Sequence, residues 1–278
     1  MRQIPLPEGL PSASVLGLGC SRLGSMTADQ TPAQARVLLA AARDLGVNVF
    51  DTANIYAQGR SERLIGETVG RAQDVCIVTK AGQVFPLKQR LLAPLRGPVS
   101  AILKRSKSAA AGLRAVRSHG LPRDYRPEAL SEAIEQSLKR LRRDQVEIFL
   151  LHSPRREHLA DGAALDAIQH IKQRGLARLV GVSCDDEDVL GMIAGDPRVE
   201  AIQAPFGLRR PTLEASLGVA ARRGAVVIAR EILSAEASAE RPPPMDAVKF
   251  ATHHAAVSLA LLGTSNTAHL EDAVRAAE

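Results

Sequence analysis

The sequence predicts an α/β chain folded as a single closed (β/α)8 barrel, the TIM barrel. Three observations carry this expectation. Eight short apolar runs alternate with eight segments whose apolar residues recur at helical spacing. The chain has 278 residues and 45% hydrophobic content, which suits one core of about 250 residues or slightly more. Three of the apolar runs end on ionisable residues, Asp51, Lys80 and His152, and Tyr56 follows Asp51 by five positions. Parallel barrels carry their chemistry at the carboxyl ends of the strands.

The elements follow in order. Val15–Cys20 is the first strand. Thr31-Pro32 offers an N-cap with proline at the first helical position, and Val37, Leu38, Ala41, Ala42 and Leu45 form one apolar face before Gly46. The run 47–51 is a buried strand ending in Asp51. Ser61 is expected to cap the next helix, which carries Leu64, Ile65 and Val69. The third strand, 75–80, ends in Lys80. Beyond 125, helices are expected at 127–141, around Leu165, Ile168 and Ile171, and at 187–194, 211–222, 245–251 and 267–277. Strands are expected at 146–151, 177–182, 199–204, 225–229 and 256–262.

Composition narrows the class. Aromatic residues make up 3% of the chain and tryptophan is absent, so aliphatic side chains must fill the interior. Cys20, Cys76 and Cys184 lie far apart without paired spacing, which predicts reduced thiols in a cytoplasmic protein rather than a disulfide or a metal site. Residues 1–5 do not open a secretory leader, and no apolar run approaches the roughly 18 residues of a membrane span.

Residues 82–125 break the alternation. They hold Lys88, Arg90, Arg96, Lys104, Arg105, Lys107, Arg114, Arg117 and Arg123 against the single acid Asp124. Residues 99–117 could form a basic helix. Placed after the third strand, this insertion is expected on the active-site face, as a solvated lid or as an electrostatic collar for an acidic partner or surface. Aromatic interleaving is absent, which argues against nucleic acid.

The motifs are specific in combination. Asp51-Thr52-Ala53 with Tyr56, then Gly59-Arg60-Ser61-Glu62 and Leu64-Ile65-Gly66, resemble the aldo-keto reductases. Lys80 after Val78-Thr79, His152 in Leu150-Leu151-His152-Ser153-Pro154, Gly181-Val182-Ser183 and Gly263-Thr264-Ser265-Asn266 extend the resemblance from about Val15 onward. It implies an NAD(P)H-dependent oxidoreductase acting on a small carbonyl compound or the corresponding alcohol. Residues 2–14 would form a hairpin closing the bottom of the barrel. Tyr56 would be the general acid/base, Lys80 would lower its pKa, Asp51 would hold Lys80, and His152 would orient the substrate.

The resemblance also implies the cofactor contacts. Ser183 and Gln203 would meet the nicotinamide carboxamide. Cys184 stands where the family often has Asn. Arg230 occupies the place of a stacking aromatic ring, with a salt bridge to Glu231 as its structural alternative. Gly263, Thr264, Ser265 and Asn266, with His269 and Asp272 on the helix that follows, would face the phosphates. Gly263 and His269 replace a basic pair, so NADP(H) is the expected cofactor with weak selectivity and NAD(H) the alternative. Arg209 and Arg210 are candidate compensating cations. No metal is expected. The Pro-rich stretch 234–244 is shorter than the family's cofactor-covering loop. Two other readings stand beside this one: a non-catalytic nicotinamide-binding sensor or scaffold, and a Schiff-base lyase acting through Lys80.

Overall fold

The structure, a computed structural model, describes residues 1–7, 9–24, 30–84, 121–235 and 240–278. The expected basic helix at 99–117 and most of the 82–125 insertion lie outside the described residues, as do residues 236–239 of the Pro-rich stretch. Two short strands, β1 (Gln3–Ile4) and β2 (Ala13–Ser14), pair antiparallel as a small hairpin. Eight further strands are all parallel: β3 (Leu16–Gly19), β4 (Val49–Asp51), β5 (Cys76–Ala81), β6 (Val146–His152), β7 (Ala177–Ser183), β8 (Ala201–Pro205), β9 (Val226–Arg230) and β10 (Leu259–Leu262). They close into a barrel in sequence order, with β10 pairing back onto β3.

The described helices between and after them are α1 (Pro32–Asp44), α2 (Arg60–Thr68), α3 (Pro127–Leu141), α4 (Ala163–Gln173), α5 (Glu187–Ile193), α6 (Glu214–Arg222), α7 (Pro244–His253) and α8 (Thr267–Ala277). Their boundaries have local causes. Thr31 and Gln34 close a capping box at the start of α1, with Pro32 at its first turn. Proline also opens α3, and Arg142 ends it in a left-handed conformation. The expected cap of α2 is wrong. The helix starts two residues earlier, after a left-handed Gly59, and Ser61 sits buried inside its first turn. There its hydroxyl donates to the Cys20 carbonyl (3.0 Å) and lies 2.9 Å from the Thr52 hydroxyl. α6 likewise begins at Glu214 rather than at Pro211.

Two apolar layers organise the interior. Val49, Cys76, Val78, Ile148, Leu150, Leu179, Ile228 and Leu261 point into the barrel, and Leu6 and Leu10 of the hairpin segment close its amino end. The alternate residues of the strands, such as Phe50, Ile77, Phe149 and Val180, pack outward against the helices. Gly181 marks a place where the backbones come close: a Cβ there would lie 1.8 Å from the Ala201 carbonyl oxygen. The barrel interior is therefore plugged by apolar side chains at the hairpin end, and Asp51, Lys80, His152, Ser183 and Gln203 are buried at the other end.

Candidate active site

β4 and β5 run side by side, with Asp51 opposite Val78 in the register. This places Asp51 at the strand end and Lys80 two residues further along its neighbour. Both side chains are buried, at 6% and 1% exposure. Lys80 Nζ donates to Asp51 Oδ1 at 2.6 Å and to the Thr52 carbonyl at 2.8 Å. Gln203, in β8, donates from Nε2 to the same Asp51 oxygen at 2.7 Å. The Gln203 carbonyl oxygen accepts from Ser183 Oγ, at the end of β7, at 2.9 Å. Asp51 thus joins three strands through two donors, Ser183 ties in a fourth through Gln203, and a buried ammonium is balanced as burial demands.

Tyr56 reaches this cluster from the loop after β4. The loop turns tightly: Tyr56 N donates to Ala53 O, and Ala57 and Gln58 take left-handed backbone angles before Gly59. The Tyr56 ring lies 5.1 Å from Lys80 Nζ, measured to its centroid. The His152 ring meets it edge-on, 5.8 Å between centroids. His152 ends β6 and is 7% exposed. Among the described residues, its Nδ1 is buried without a hydrogen-bond partner.

Electrostatics at this cluster partly correct the sequence expectation. Burial raises the Tyr56 phenol above its ordinary pKa, and Lys80 pulls in the opposite direction without prevailing. The phenol is therefore protonated at neutral pH, rather than shifted down as expected. Burial is the largest influence and works against the Lys80 charge, but the charge and hydrogen bond of Asp51, together with Tyr56, outweigh it and hold the ammonium above its ordinary pKa. Burial first, then Lys80 and Arg230, push His152 down to about 3, so its imidazole is neutral.

Arg230 ends β9 and is largely buried. Its guanidinium pairs with both Asp185 and Glu231 and donates to the Cys184 carbonyl at 3.2 Å. Asp185 in turn accepts from Ser153 Oγ at 2.8 Å, and Glu231 from Arg210 at 2.8 Å. A strap of alternating charge therefore crosses the mouth between the ends of β6, β7 and β9. Cys184 is buried beside it, and burial raises its thiol to about 12.

The remaining predicted positions stand apart, after β10, two strands round the barrel from β4. Gly263, Ser265, Asn266, His269 and Asp272 are exposed, and Thr264 is half-buried. Asn266 caps α8 by accepting from Ala268 N at 2.9 Å, and Thr264 Oγ1 accepts from Asn266 N at 3.1 Å. Asp272 pairs with Arg275 within the helix. The guanidinium of Arg210 is already engaged by Glu231.

Sequence reading missed several residues that the fold brings to this end. Asp185 was within reach, since it follows Ser183-Cys184 directly at a strand end. Glu62 carries a weaker signal. Its carboxylate is fully buried, accepts from Thr79 Oγ1 at 2.8 Å and pairs with Arg140 at 2.5 Å, which braces the strand position next to Lys80. Tyr125 and Arg123 had no signal beyond residue type.

An eight-stranded parallel barrel with a buried Asp–Lys pair, a tyrosine and a histidine at its carboxyl ends defines the class of fold and site. The aldo/keto reductase family model matches residues 15–241, and the chain belongs to that family. An uncharacterized oxidoreductase of Bacillus subtilis (strain 168) is 27% identical over 214 residues, 76% of this chain and 58% of that protein. The chain therefore spans less than two thirds of that relative's length. A D-threo-aldose 1-dehydrogenase of Pseudomonas sp is 25% identical over 245 residues, 83% of this chain and 69% of that one. The holo form of an aldo-keto reductase from Bacillus halodurans shares the fold, with a TM-score of 0.76, 23% identity, and coverage of 100% of this chain and 91% of that one. No described helix is long and apolar enough to cross a membrane. Among the described residues, no group of three or more His, Cys, Asp or Glu side chains is placed to hold a metal ion.

Proposed function

We propose that the protein is an NAD(P)H-dependent oxidoreductase that reduces a small aldehyde or ketone, or oxidises the corresponding alcohol, with Tyr56 as general acid and base. The observation that carries this reading is the buried Lys80 ammonium, held by Asp51 at 2.6 Å and lying 5.1 Å from the Tyr56 ring centroid, with a neutral His152 across from the same ring. The donor set fits a nicotinamide. Ser183 Oγ and the Gln203 amide stand together at the ends of β7 and β8; with their mutual bond and the Gln203 bond to Asp51 made, the hydroxyl lone pairs and the second amide hydrogen remain to meet a carboxamide. The reduced cofactor supplies the hydride when bound.

The residues then divide the proton work. The Tyr56 phenol, protonated at neutral pH, gives its proton to the carbonyl oxygen as negative charge develops there. Lys80 stabilises the phenolate left behind. Asp51 and the Thr52 carbonyl keep Lys80 charged and oriented. His152, neutral at working pH, can donate one N–H to the carbonyl oxygen without competing for its proton. In the alcohol direction the same groups run in reverse. Lys80 held protonated by Asp51 is a poor Schiff-base nucleophile, which disfavours the lyase reading.

The exposed rim after β10 is assigned to the cofactor phosphates, with Thr264, Ser265 and Asn266 as polar contacts and His269 as the nearest ionisable group on α8. Three buried free thiols suit a reducing compartment, and we place the protein in the cytoplasm. Fluorescence titration with NADPH and NADH, followed by a panel of small aldehydes and ketones, tests the reading. Binding of at least one dinucleotide with turnover of a carbonyl substrate supports it. Binding without any turnover would favour the sensor or scaffold.

A further inference from the structure

The chain has two tyrosines. One lies in the site, and the other, Tyr125, plays no part in the reading above. Tyr125 is buried at 7% exposure, and its hydroxyl donates to the main-chain oxygen of His152 at 2.7 Å. Its ring meets His158 edge-on at 4.8 Å. Gly82 makes room for it. A Cβ at Gly82 would fall 2.0 Å from Tyr125 Cε1, and Gly82 holds a φ of +112° that other residues rarely adopt. Two residues before Tyr125, Arg123 Nε donates to the Ser153 carbonyl at 3.1 Å. Consecutive carbonyls at the end of β6 therefore each accept a bond from this one short segment.

The placement has a physical reason. The pairing of β5 with β6 stops at Ala81–Leu151, one residue short of His152. A buried carbonyl beyond that point needs another donor, and the Tyr125 hydroxyl supplies it. The segment is itself tied to the strand that carries Lys80. Asp124 N donates to Gly82 O at 2.7 Å, Val84 N to Pro122 O at 2.9 Å, and Gln83 bridges Arg123 in antiparallel fashion. Ser153 sits in left-handed backbone at φ 53°, uncommon outside glycine, so the turn after His152 is held by its surroundings and not by local preference.

The side chain of His152 gives this backbone support its importance. A functional histidine is often oriented by a partner on the ring nitrogen turned away from its target. Here Nδ1 has no such partner among the described residues. The direction of the imidazole then depends on its own backbone and on the Tyr56 edge. We propose that Tyr125, supported by Arg123, is a positioning residue for His152. It fixes the peptide after His152 and so sets how the imidazole meets a substrate oxygen.

The proposal rests on the reading of His152 as a substrate-orienting group, and a double-mutant cycle separates the two. Tyr125→Phe keeps the ring and removes one hydroxyl, and Arg123→Gln is a second, milder probe. Steady-state reduction of a carbonyl substrate and NADPH titration are measured for Tyr125→Phe, His152→Ala and the double variant. The expected result is a loss of about tenfold in kcat/KM for Tyr125→Phe, since small misplacements of a reacting group are costly. NADPH affinity should stay unchanged, and the loss should vanish once His152 is alanine. Arg123→Gln should lose less, by the same route. Full activity of Tyr125→Phe overturns the proposal, as does an equal loss in both His152 backgrounds, which would mark a merely structural role. If His152→Ala itself retains full kcat/KM, the functional reading of His152 fails first and the proposal with it.

Discussion

The buried hub and the exposed rim of the candidate site are built on opposite principles. In the hub, Asp51 accepts from Lys80 and Gln203, Gln203 accepts from Ser183, and all four side chains are buried. Asp51 and Gln203 each bond two other members, one of these bonds reaching across the barrel from β8 to β4. On the rim, Gly263, Ser265, Asn266 and His269 are exposed, and the hydrogen bonds of Thr264 and Asn266 serve the first turn of α8. The hub's groups are bonded to one another, whereas the rim offers capping groups that a phosphate would have to recruit. The difference predicts intolerance of change in the hub and tunable selectivity at the rim.

The largest expected effect is on the hub. Replacing Lys80 with Met leaves the Asp51 carboxylate buried without its counter-charge. Breaking a buried pair on one side costs about 3–5 kcal/mol. Thermal or urea unfolding should show that loss together with abolished reduction. A Lys80→Met protein as stable as the parent would mean that Asp51 is solvated or protonated and that the pair is not a structural keystone.

A smaller effect concerns pH. His152 titrates near 3 in the folded protein, below its ordinary 6.5, so the unfolded chain binds the proton more readily. The stability linked to this residue is fully present above about pH 6.5. It declines as pH falls from there towards 3. His152→Gln should flatten that part of the stability curve. An unchanged acid limb in the variant would show that His152 is not held neutral by the fold.

The smallest effect belongs to the rim. A charged hydrogen bond to phosphate contributes about 1.5–3 kcal/mol, and the expected basic pair is replaced by Gly263 and His269. The NADPH:NADH affinity ratio should therefore stay below about 100, and His269→Arg should raise it. Titrations with both dinucleotides check this. A preference above a thousandfold in the parent would require another cation at the 2′-phosphate, and would move the assignment away from this loop.

Much of this contrast was legible in the sequence, for identifiable reasons. The helices over 127–141 and 267–277 coincide with α3 and α8 because proline at one start and an Asn cap at the other mark their first turns. Strand ends at Asp51 and His152 were visible because apolar runs stop where the barrel interior meets its mouth. Ser61 misled because a hydroxyl near a helix start reads as a cap, whereas the left-handed Gly59 begins the helix and frees Ser61 for Thr52 and Cys20. The Tyr56 shift was misjudged because charge neighbours can be read from motifs but burial cannot. The bond from Tyr125 to His152 spans 27 residues and that from Arg230 to Cys184 spans 46, distances over which periodicity carries no information.

The claim that Tyr56 is the proton donor beside a Lys80 held by Asp51 is tested most directly by Tyr56→Phe. On a carbonyl substrate turned over by the parent, kcat should fall by about 10² to 10⁴ while dinucleotide affinity stays nearly unchanged. A Tyr56→Phe enzyme that keeps parental turnover would contradict the account.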